Sequence, residues 1–161
     1  RTIESLIDAN KKVNRALMAG AMAVGAEIEI KELPGYLPIL RHDSMEKVLR
    51  ENINFTGIKD DEIIEGGDFT GSFDFGDVSH IIPTLHPMFG GITGALHTRN
   101  YSITDEEFAY LAPAKSLALT VVDLLFDNAK IGKEILANFK PAMTKEEYLE
   151  FLQSNDKTIK G

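Results

Sequence analysis

Hydrophobic residues recur at helical spacing from the start of the chain and predict an opening amphipathic helix. Lys11, Lys12 and Arg15 fall on its other faces. Gly25 is a typical C-terminal stop for this helix. The next residues, EIEIKEL, alternate polar and apolar positions and predict a half-buried strand. The apolar helix positions are Ile3, Leu6, Ile7, Val13, Leu17, Met18, Ala21 and Val24.

The segment LPGYLP, Leu33 to Pro38, predicts a boundary between two parts of the chain. Its prolines and glycine do not suit the interior of a helix or of a central strand. We therefore divide the chain into residues 1–34 and residues 35–161. One helix and one strand cannot build a core of their own, so the opening of the chain looks like a cut made inside a domain.

Helix-capping signals predict the elements of the second part. Asp43 with Glu46 predicts a helix start, and Thr144 with Glu147 predicts another. A short strand is predicted at Ile63–Ile64. Helices that alternate with short strands indicate an α/β fold.

A third capping box, Thr104 with Glu107, precedes a long apolar segment that ends near Asn128. Pro113 is expected to start a second helix there or to kink the first. Because this segment is apolar nearly all round, we expect it to be deeply buried. The residues behind this expectation are Leu117, Leu119, Val121, Val122, Leu124, Leu125 and Phe126.

Composition narrows the class of protein. The 161 residues suit a single domain, and 43% hydrophobic residues can form a core. A net charge of −8 argues against nucleic acid and against an anionic membrane as partners. The chain has no cysteine for disulfides or thiolate metal sites, and we see no apolar run of membrane-span type. The expected location is the cytoplasm.

The run GSFDFGDVSHIIPTLHP holds the first candidate chemistry. Ser79 and His80 are sequence neighbours whose side chains point apart, which argues against a nucleophile with its base. Asp77 and His80 have a spacing compatible with zinc, but nothing nearby completes such a site. We favour a structural interpretation, in which Asp74 and Asp77 brace a turn and His80 lies beside a pocket.

His97 follows the glycine-rich, strand-like segment FGGITGAL and precedes the helix predicted at Thr104. Loops after the strands of an α/β sheet commonly carry ligand-binding residues. A histidine there also often only satisfies a loop hydrogen bond. The residues themselves leave both interpretations open.

Three stretches together resemble a known family. They are GSFDFGDVSHIIPTLHP, GGITGALHTRNYSITDEEFAYLAPAKSLALTVVDLL and KPAMTKEEYLEFL. They resemble the C-terminal region of the zinc-dependent amidohydrolase and carboxypeptidase superfamily, within its subgroup of aminobenzoyl-glutamate hydrolases, hippurate hydrolases and aminoacylases. The resemblance implies that residues 35–161 are the C-terminal part of a metallopeptidase-type α/β catalytic domain. Residues 1–34 would be the remaining helix and strand of an α+β lid or dimerisation domain.

The resemblance also implies a site. In this family a metal-bound water attacks an amide carbonyl, with a glutamate as base. The last metal ligand corresponds to His97, and the metal would be zinc, or alternatively manganese. His80 would shape the pocket wall. The residues implied at the substrate are Gly71, Ser72, Asp74, Gly90, Gly91 and His80.

The implied protein is a metal-dependent amidohydrolase acting on an N-acyl amino acid, an aminobenzoyl-glutamate-like compound or a small peptide. It would form a homodimer through the lid. The other metal ligands and the glutamate base have no counterpart here and would precede Arg1, so the chain is expected to be an inactive C-terminal fragment. The alternative is a non-catalytic domain for small-acid binding or self-association.

Overall fold

The structure, a computed structural model, describes residues 2–66 and 71–161 and divides into two compact units. The first unit contains the N-terminal segment to Leu40, the segment ending at Ile82, and Pro141–Gly161; the second contains Arg41–Gly66 and Pro83–Lys140. The elements in chain order are α1 (Ile3–Ala23), β1 (Glu29–Glu32), α2 (Asp43–Phe55), a 3₁₀ turn (Asp60–Glu62), α3 (Asp74–Ser79), β2 (Ile92–Thr93), β3 (Ser102–Ile103), a π-helical turn (Glu107–Leu111), α4 (Ala112–Asn138), α5 (Lys145–Asn155) and β4 (Lys157–Lys160).

The first unit joins the two ends of the described chain through a small sheet. β1 pairs with β4 in antiparallel register, from Glu29 opposite Lys160 to Glu32 opposite Lys157. The predicted helix and strand at the start of the chain are therefore confirmed. Gly25 has the positive φ of 69° that is typical just after a helix end.

A single carboxylate ties α1 to this sheet. Glu32 accepts a hydrogen bond from the Asn10 side chain at 2.6 Å and another from the Asn14 side chain. The Lys157 ammonium lies 3.3 Å away. The hydrogen bonds from Asn14 and Asn10 lower the pKa of the Glu32 carboxyl.

The apolar face of α1 remains largely open to solvent. The helix has no buried residue along its described length, and Leu6, Val13 and Leu17 are all exposed. The N-terminal segment thus does not close a core of its own, as expected for one helix and one strand. Self-association through residues 1–34 stays a prediction, as do the division at residue 35 and the α/β fold class.

The second unit is centred on the packing of α2 against α4. Leu49 is buried from α2, and Ile135 is buried from α4. The Asn52 amide donates to the Asp123 carboxylate at 2.7 Å and lies 3.4 Å from the Thr120 hydroxyl. Because a buried amide is costly without these partners, Asn52 fixes the alignment of the two helices.

The predicted start of α2 is displaced by one residue. His42, not Asp43, caps α2, and its Nδ1 accepts from the Met45 amide at 3.4 Å. The Glu46 carboxylate pairs instead with the Arg41 guanidinium, which gives it a stronger, charged partner. The capping box predicted at Thr144 and Glu147 is confirmed.

The predicted cap at Thr104 and the predicted strand at Ile63–Ile64 are wrong. The Thr104 amide donates to Gly91, so Asp105 caps the helical segment by accepting from the Phe108 amide at 3.0 Å. Residues 63–66 are irregular, and Ile64 is 90% exposed, so no sheet face covers it.

α4 consists of two helical halves separated by a left-handed turn. Asp127, Asn128 and Ala129 have φ values of 49°, 57° and 57°. The first half therefore ends close to the predicted position, Asn128. Left-handed backbone costs an L-residue with a Cβ about 1–2 kcal/mol, and Asn and Asp tolerate it better than alanine. Ala129 is thus the strained residue of the turn.

The expected deep burial of the apolar segment is not found. Val121, Leu125 and Phe126 are 53%, 66% and 74% exposed. They are exposed because α2 contacts α4 on the side of Thr120 and Asp123, which bond to Asn52. Glu107–Asn138 is long and apolar enough, by length and composition, to cross a membrane, and its most apolar stretch has a mean hydropathy of 1.4. The prediction that the chain has no apolar run of membrane-span type is therefore wrong by this criterion. Core helices of soluble proteins meet the same criterion, so this finding does not place the chain in a membrane.

Replacing Ala129 by glycine is expected to stabilise the second unit by about 1 kcal/mol, because glycine adopts positive φ without a Cβ clash. Ala137→Gly, in a helical part of α4, is the matched control and should destabilise by about 1 kcal/mol. Chemical denaturation of both variants measures the difference. Destabilisation by both substitutions would mean that residue 129 does not hold a left-handed conformation.

Glu32 should make the stability of the first unit depend on pH. Its folded pKa lies below the ordinary value of 4.5. The stabilisation that Glu32 contributes to the folded state is therefore complete above the pKa that Glu32 has in the unfolded chain. It is lost as pH falls through the lower pKa that Glu32 has in the folded protein. Glu32→Gln should flatten this part of a stability-against-pH curve, measured by denaturation between pH 2 and pH 7. Glu150→Gln, on an exposed position of α5, makes the same charge change and should keep the slope; equal slopes in both variants would contradict the assignment.

Candidate functional site

The predicted site residues fall in both units. Gly71, Ser72, Asp74 and His80 belong to the first unit, whereas His97, with Gly90 and Gly91, belongs to the second. Gly71 and Ser72 are exposed ahead of α3, and Asp74 is the first residue of that helix. Their assignment to a substrate site stays a prediction.

The GDVSH segment, residues 76–80, holds the chain around Leu37 in place. The Asp77 carboxylate accepts a hydrogen bond from the Leu37 amide at 3.3 Å, and the Ser79 hydroxyl accepts from the Leu40 amide at 2.9 Å. A Cβ on Gly76 would lie 1.8 Å from the Leu37 carbonyl oxygen, so only glycine fits there. Asp77 therefore has a structural role, but it holds the distant segment at Leu37 rather than the local turn that the sequence predicts.

His80 is almost completely buried, with 3% of its surface exposed. Its ring Nδ1 donates to the Gly76 carbonyl at 2.8 Å, which requires the tautomer with the proton on Nδ1. Its own carbonyl accepts from the amides of Ala142 at 2.9 Å and Met143 at 3.2 Å. His80 thus connects the GDVSH segment to the loop before α5, and its place at a substrate pocket stays a prediction.

Tyr148 on α5 adds a second connection to the GDVSH segment. Burial raises the pKa of the Tyr148 hydroxyl, and the charge and hydrogen bond of the Asp77 carboxylate raise it further. No local pattern predicts this pair, because Asp77 and Tyr148 are far apart along the chain. Asp77 is therefore a fully engaged structural carboxylate.

A short β-hairpin carries His97 in the second unit. β2 and β3 pair in antiparallel register, with Ile92 opposite Ile103. Before β2, the Gly91 carbonyl accepts from the amides of Thr104 at 2.9 Å and Asp105 at 3.1 Å. These bonds fix the base of the hairpin to the start of the helical segment.

Gly90 and Gly91 are approached closely by the protein itself. Gly91 has φ of 82°, and a Cβ there would lie 2.6 Å from the Asp105 carbonyl oxygen. A Cβ on Gly90 would lie 3.1 Å from the Phe108 ring. Packing within the unit thus explains both glycines, and their role at a substrate stays a prediction.

His97 lies in the loop of this hairpin, with φ of 61°. Such backbone is uncommon for a residue with a Cβ, and these outliers concentrate at functional sites. The turn is closed by hydrogen bonds from the Thr98 amide and hydroxyl to the Ala95 carbonyl, at 3.3 and 2.8 Å. The imidazole is exposed, so a ligand can reach it from solvent.

The donor set around His97 does not make a complete metal site. Among residues 2–66 and 71–161, no group of three or more His, Asp or Glu side chains is placed to hold a metal ion. Zinc sites in proteins use three or four protein ligands. The described residues therefore do not supply three ligands for one metal ion, and the predicted metal dependence stays untested.

Sequence comparisons identify relatives of the peptidase class. They are proteins named Xaa-Arg dipeptidase from Homo sapiens, 32% identical over 152 residues, and from Mus musculus, 31% identical over 148 residues. The alignments cover 89% and 86% of this chain but 34% of each relative. The chain thus spans about a third of the length of the curated relatives it matches. No protein-family model matches the chain, and no solved structure matches it.

By sequence, this chain is related over most of its length to proteins of the peptidase or amidohydrolase kind, in agreement with the general resemblance of its motifs. These relationships do not distinguish among the aminobenzoyl-glutamate hydrolase, hippurate hydrolase and aminoacylase subgroups, which stay predictions.

Ser79→Ala should destabilise the first unit by roughly 1–3 kcal/mol, because the Leu40 amide loses its partner in a partly buried place. Ser154→Ala is the matched control, since the Ser154 hydroxyl donates to the Phe151 carbonyl on an exposed helix face. That variant should lie within about 0.5 kcal/mol of the unmodified protein in chemical denaturation. An equally small effect at Ser79 would show that the GDVSH segment does not brace residues 37–40.

Proposed function

We propose that the protein carrying this chain hydrolyses the amide bond of a small peptide or N-acyl amino acid. The observation that carries the proposal is the relationship to two dipeptidases across nearly nine-tenths of the chain. The hairpin supports the proposal, because hydrogen bonds where its strands begin and end hold an exposed histidine in left-handed backbone.

A dipeptide with a C-terminal arginine is the first substrate to test. The names of the two relatives specify this class for those proteins. A net charge of −8 on the present chain favours approach of a substrate with a basic side chain. N-acyl amino acids and aminobenzoyl-glutamate form the second group, as the motif resemblance implies.

We further propose that the activity needs a divalent metal, zinc or manganese, with His97 as one ligand. A bound metal polarises an amide carbonyl and activates water. For such a site at least one further ligand would have to come from outside the described residues. Within this chain, the hairpin presents the imidazole and the GDVSH segment keeps the neighbouring backbone rigid in its own unit.

The direct test is hydrolysis by the protein as its source cell makes it, with dipeptides ending in arginine, alanine or glutamate and with matching N-acetyl amino acids. Amino acid release is measured before and after dialysis against a chelator, and again after zinc or manganese is returned. Release that depends on the metal supports the proposal. A pure, folded protein that binds these compounds and cleaves none of them would favour the non-catalytic binding domain.

His97→Ala is expected to lower turnover at least about a hundredfold and to lower the bound metal per chain together with it, because loss of one ligand weakens the whole site. Metal content is measured by elemental analysis of the dialysed protein. His86→Ala removes another exposed histidine of the same unit and should change neither quantity. Normal activity and full metal content in His97→Ala would refute the ligand assignment.

A further inference from the structure

The second half of α4 presents an exposed face that combines two lysines with an apolar side chain. Ile135 is buried on the inner side of this half, and with about 3.6 residues per turn Lys130 and Lys133 fall on the outer side. Leu136 lies one turn after Lys133 and is 62% exposed. Both lysines are exposed, and among residues 2–66 and 71–161 neither ammonium forms an ion pair. We call Lys130, Lys133 and Leu136 the lysine face.

The segment from Asp60 to Glu65, in the same unit, has the complementary character. Ile64 is 90% exposed and is the most exposed of the large apolar side chains that the structure describes. Asp61 and Glu62 precede it, and both are exposed. An apolar side chain beside carboxylates therefore matches the lysine face in both polarity and charge.

Contacts with two arginines hold this segment in place. The Arg50 guanidinium pairs with the Asp60 and Glu65 carboxylates, each at 3.1 Å, and Arg41 donates to the Gly66 carbonyl at 3.2 Å. Arg50 offsets the charges of these two carboxylates, whereas the carboxylates between them have no cation among the described residues. A segment that is already held loses less conformational entropy when it docks. The segment is therefore prearranged for contact with another surface.

The net charge of −8 decides which faces of two copies can meet. Two such copies repel each other on average, and two acidic faces brought together repel further. A face with a local positive charge is therefore required, and the lysine face supplies one. Because surface ion pairs alone contribute little, contact between Leu136 and Ile64 has to add apolar burial.

We propose that two copies of this chain associate by docking residues 60–65 of one copy on the lysine face of the other, with Ile64 against Leu136. The lysine ammoniums then lie near the carboxylates that no cation offsets within one copy. Copies related by a twofold axis make this contact twice, since each copy carries both surfaces. The inference goes beyond the proposed hydrolysis and uses no residue of the candidate site.

Disulfide cross-linking tests the contact directly, because this chain has no cysteine of its own. Ile64→Cys and Leu136→Cys variants of the protein as its source cell makes it are mixed in a glutathione redox buffer. The disulfide that joins the two variants is measured by mass spectrometry of the linked peptides. Its yield should be at least about threefold higher than for a mixture of Ile64→Cys with Met22→Cys. Met22, on α1, is 82% exposed and is the matched control for access.

Charge reversal shows whether the lysine face selects the partner. Adding Lys133→Glu to the Leu136→Cys variant should lower the yield to that of the control mixture, and Glu62→Lys in the Ile64→Cys variant should then restore part of it. Lys11→Glu, at an exposed position of α1, makes the same charge change and should leave the yield unchanged. A yield equal to that of the control mixture without any charge reversal, or a high yield that survives Lys133→Glu, overturns the inference. Hydrolysis is measured separately, so neither result depends on the proposed function.

Discussion

The arrangement of the first unit depends on the close backbone contact between Gly76 and Leu37. A Cβ at residue 76 would lie 1.8 Å from the Leu37 carbonyl oxygen, so the contact exists only because this residue is glycine. Asp77 and Ser79 then accept the amides of Leu37 and Leu40. Leu37 is 1% exposed and is the most completely buried large apolar side chain described in the unit. Hydrogen bonds around one buried leucine, rather than a broad apolar core, therefore hold these segments together.

The second unit holds an exposed histidine, His97, in an unfavourable backbone conformation. Left-handed backbone at His97 costs on the order of 1 kcal/mol, and a free loop would relax it. The bonds from Thr104 and Asp105 to the Gly91 carbonyl and the strand pair above them hold the ends of the loop. Hydrogen bonds at the two ends of the loop thus allow strained backbone at His97.

The sequence predicts the elements that depend on neighbouring residues, and it does not predict the contacts between residues that are far apart along the chain. The opening helix, its end at Gly25, the following strand and the Thr144 capping box depend on residues within a few positions, and the structure has them. The cap at Thr104 was misplaced because a distant carbonyl, that of Gly91, takes its amide. The apolar segment is less buried than predicted, because the pattern of apolar residues shows which side chains are hydrophobic and does not show whether other parts of the protein cover them. In the candidate site, the sequence predicts a role for His97 and a structural role for Asp77. The contact between Asp77 and Tyr148 joins residues that no sequence spacing connects.

The exposed apolar surface and the incomplete donor set have related physical consequences. Few large apolar side chains are buried among the described residues, whereas Leu125 and Phe126 are 66% and 74% exposed. Such surface raises the free energy of the folded chain in water until something covers it. A single histidine likewise gains metal affinity only when other ligands are held near it. Covering the apolar face and completing the proposed metal site both require groups beyond those described, so each would make the other more favourable if the same groups did both. Under that proposal, stability and metal affinity rise together.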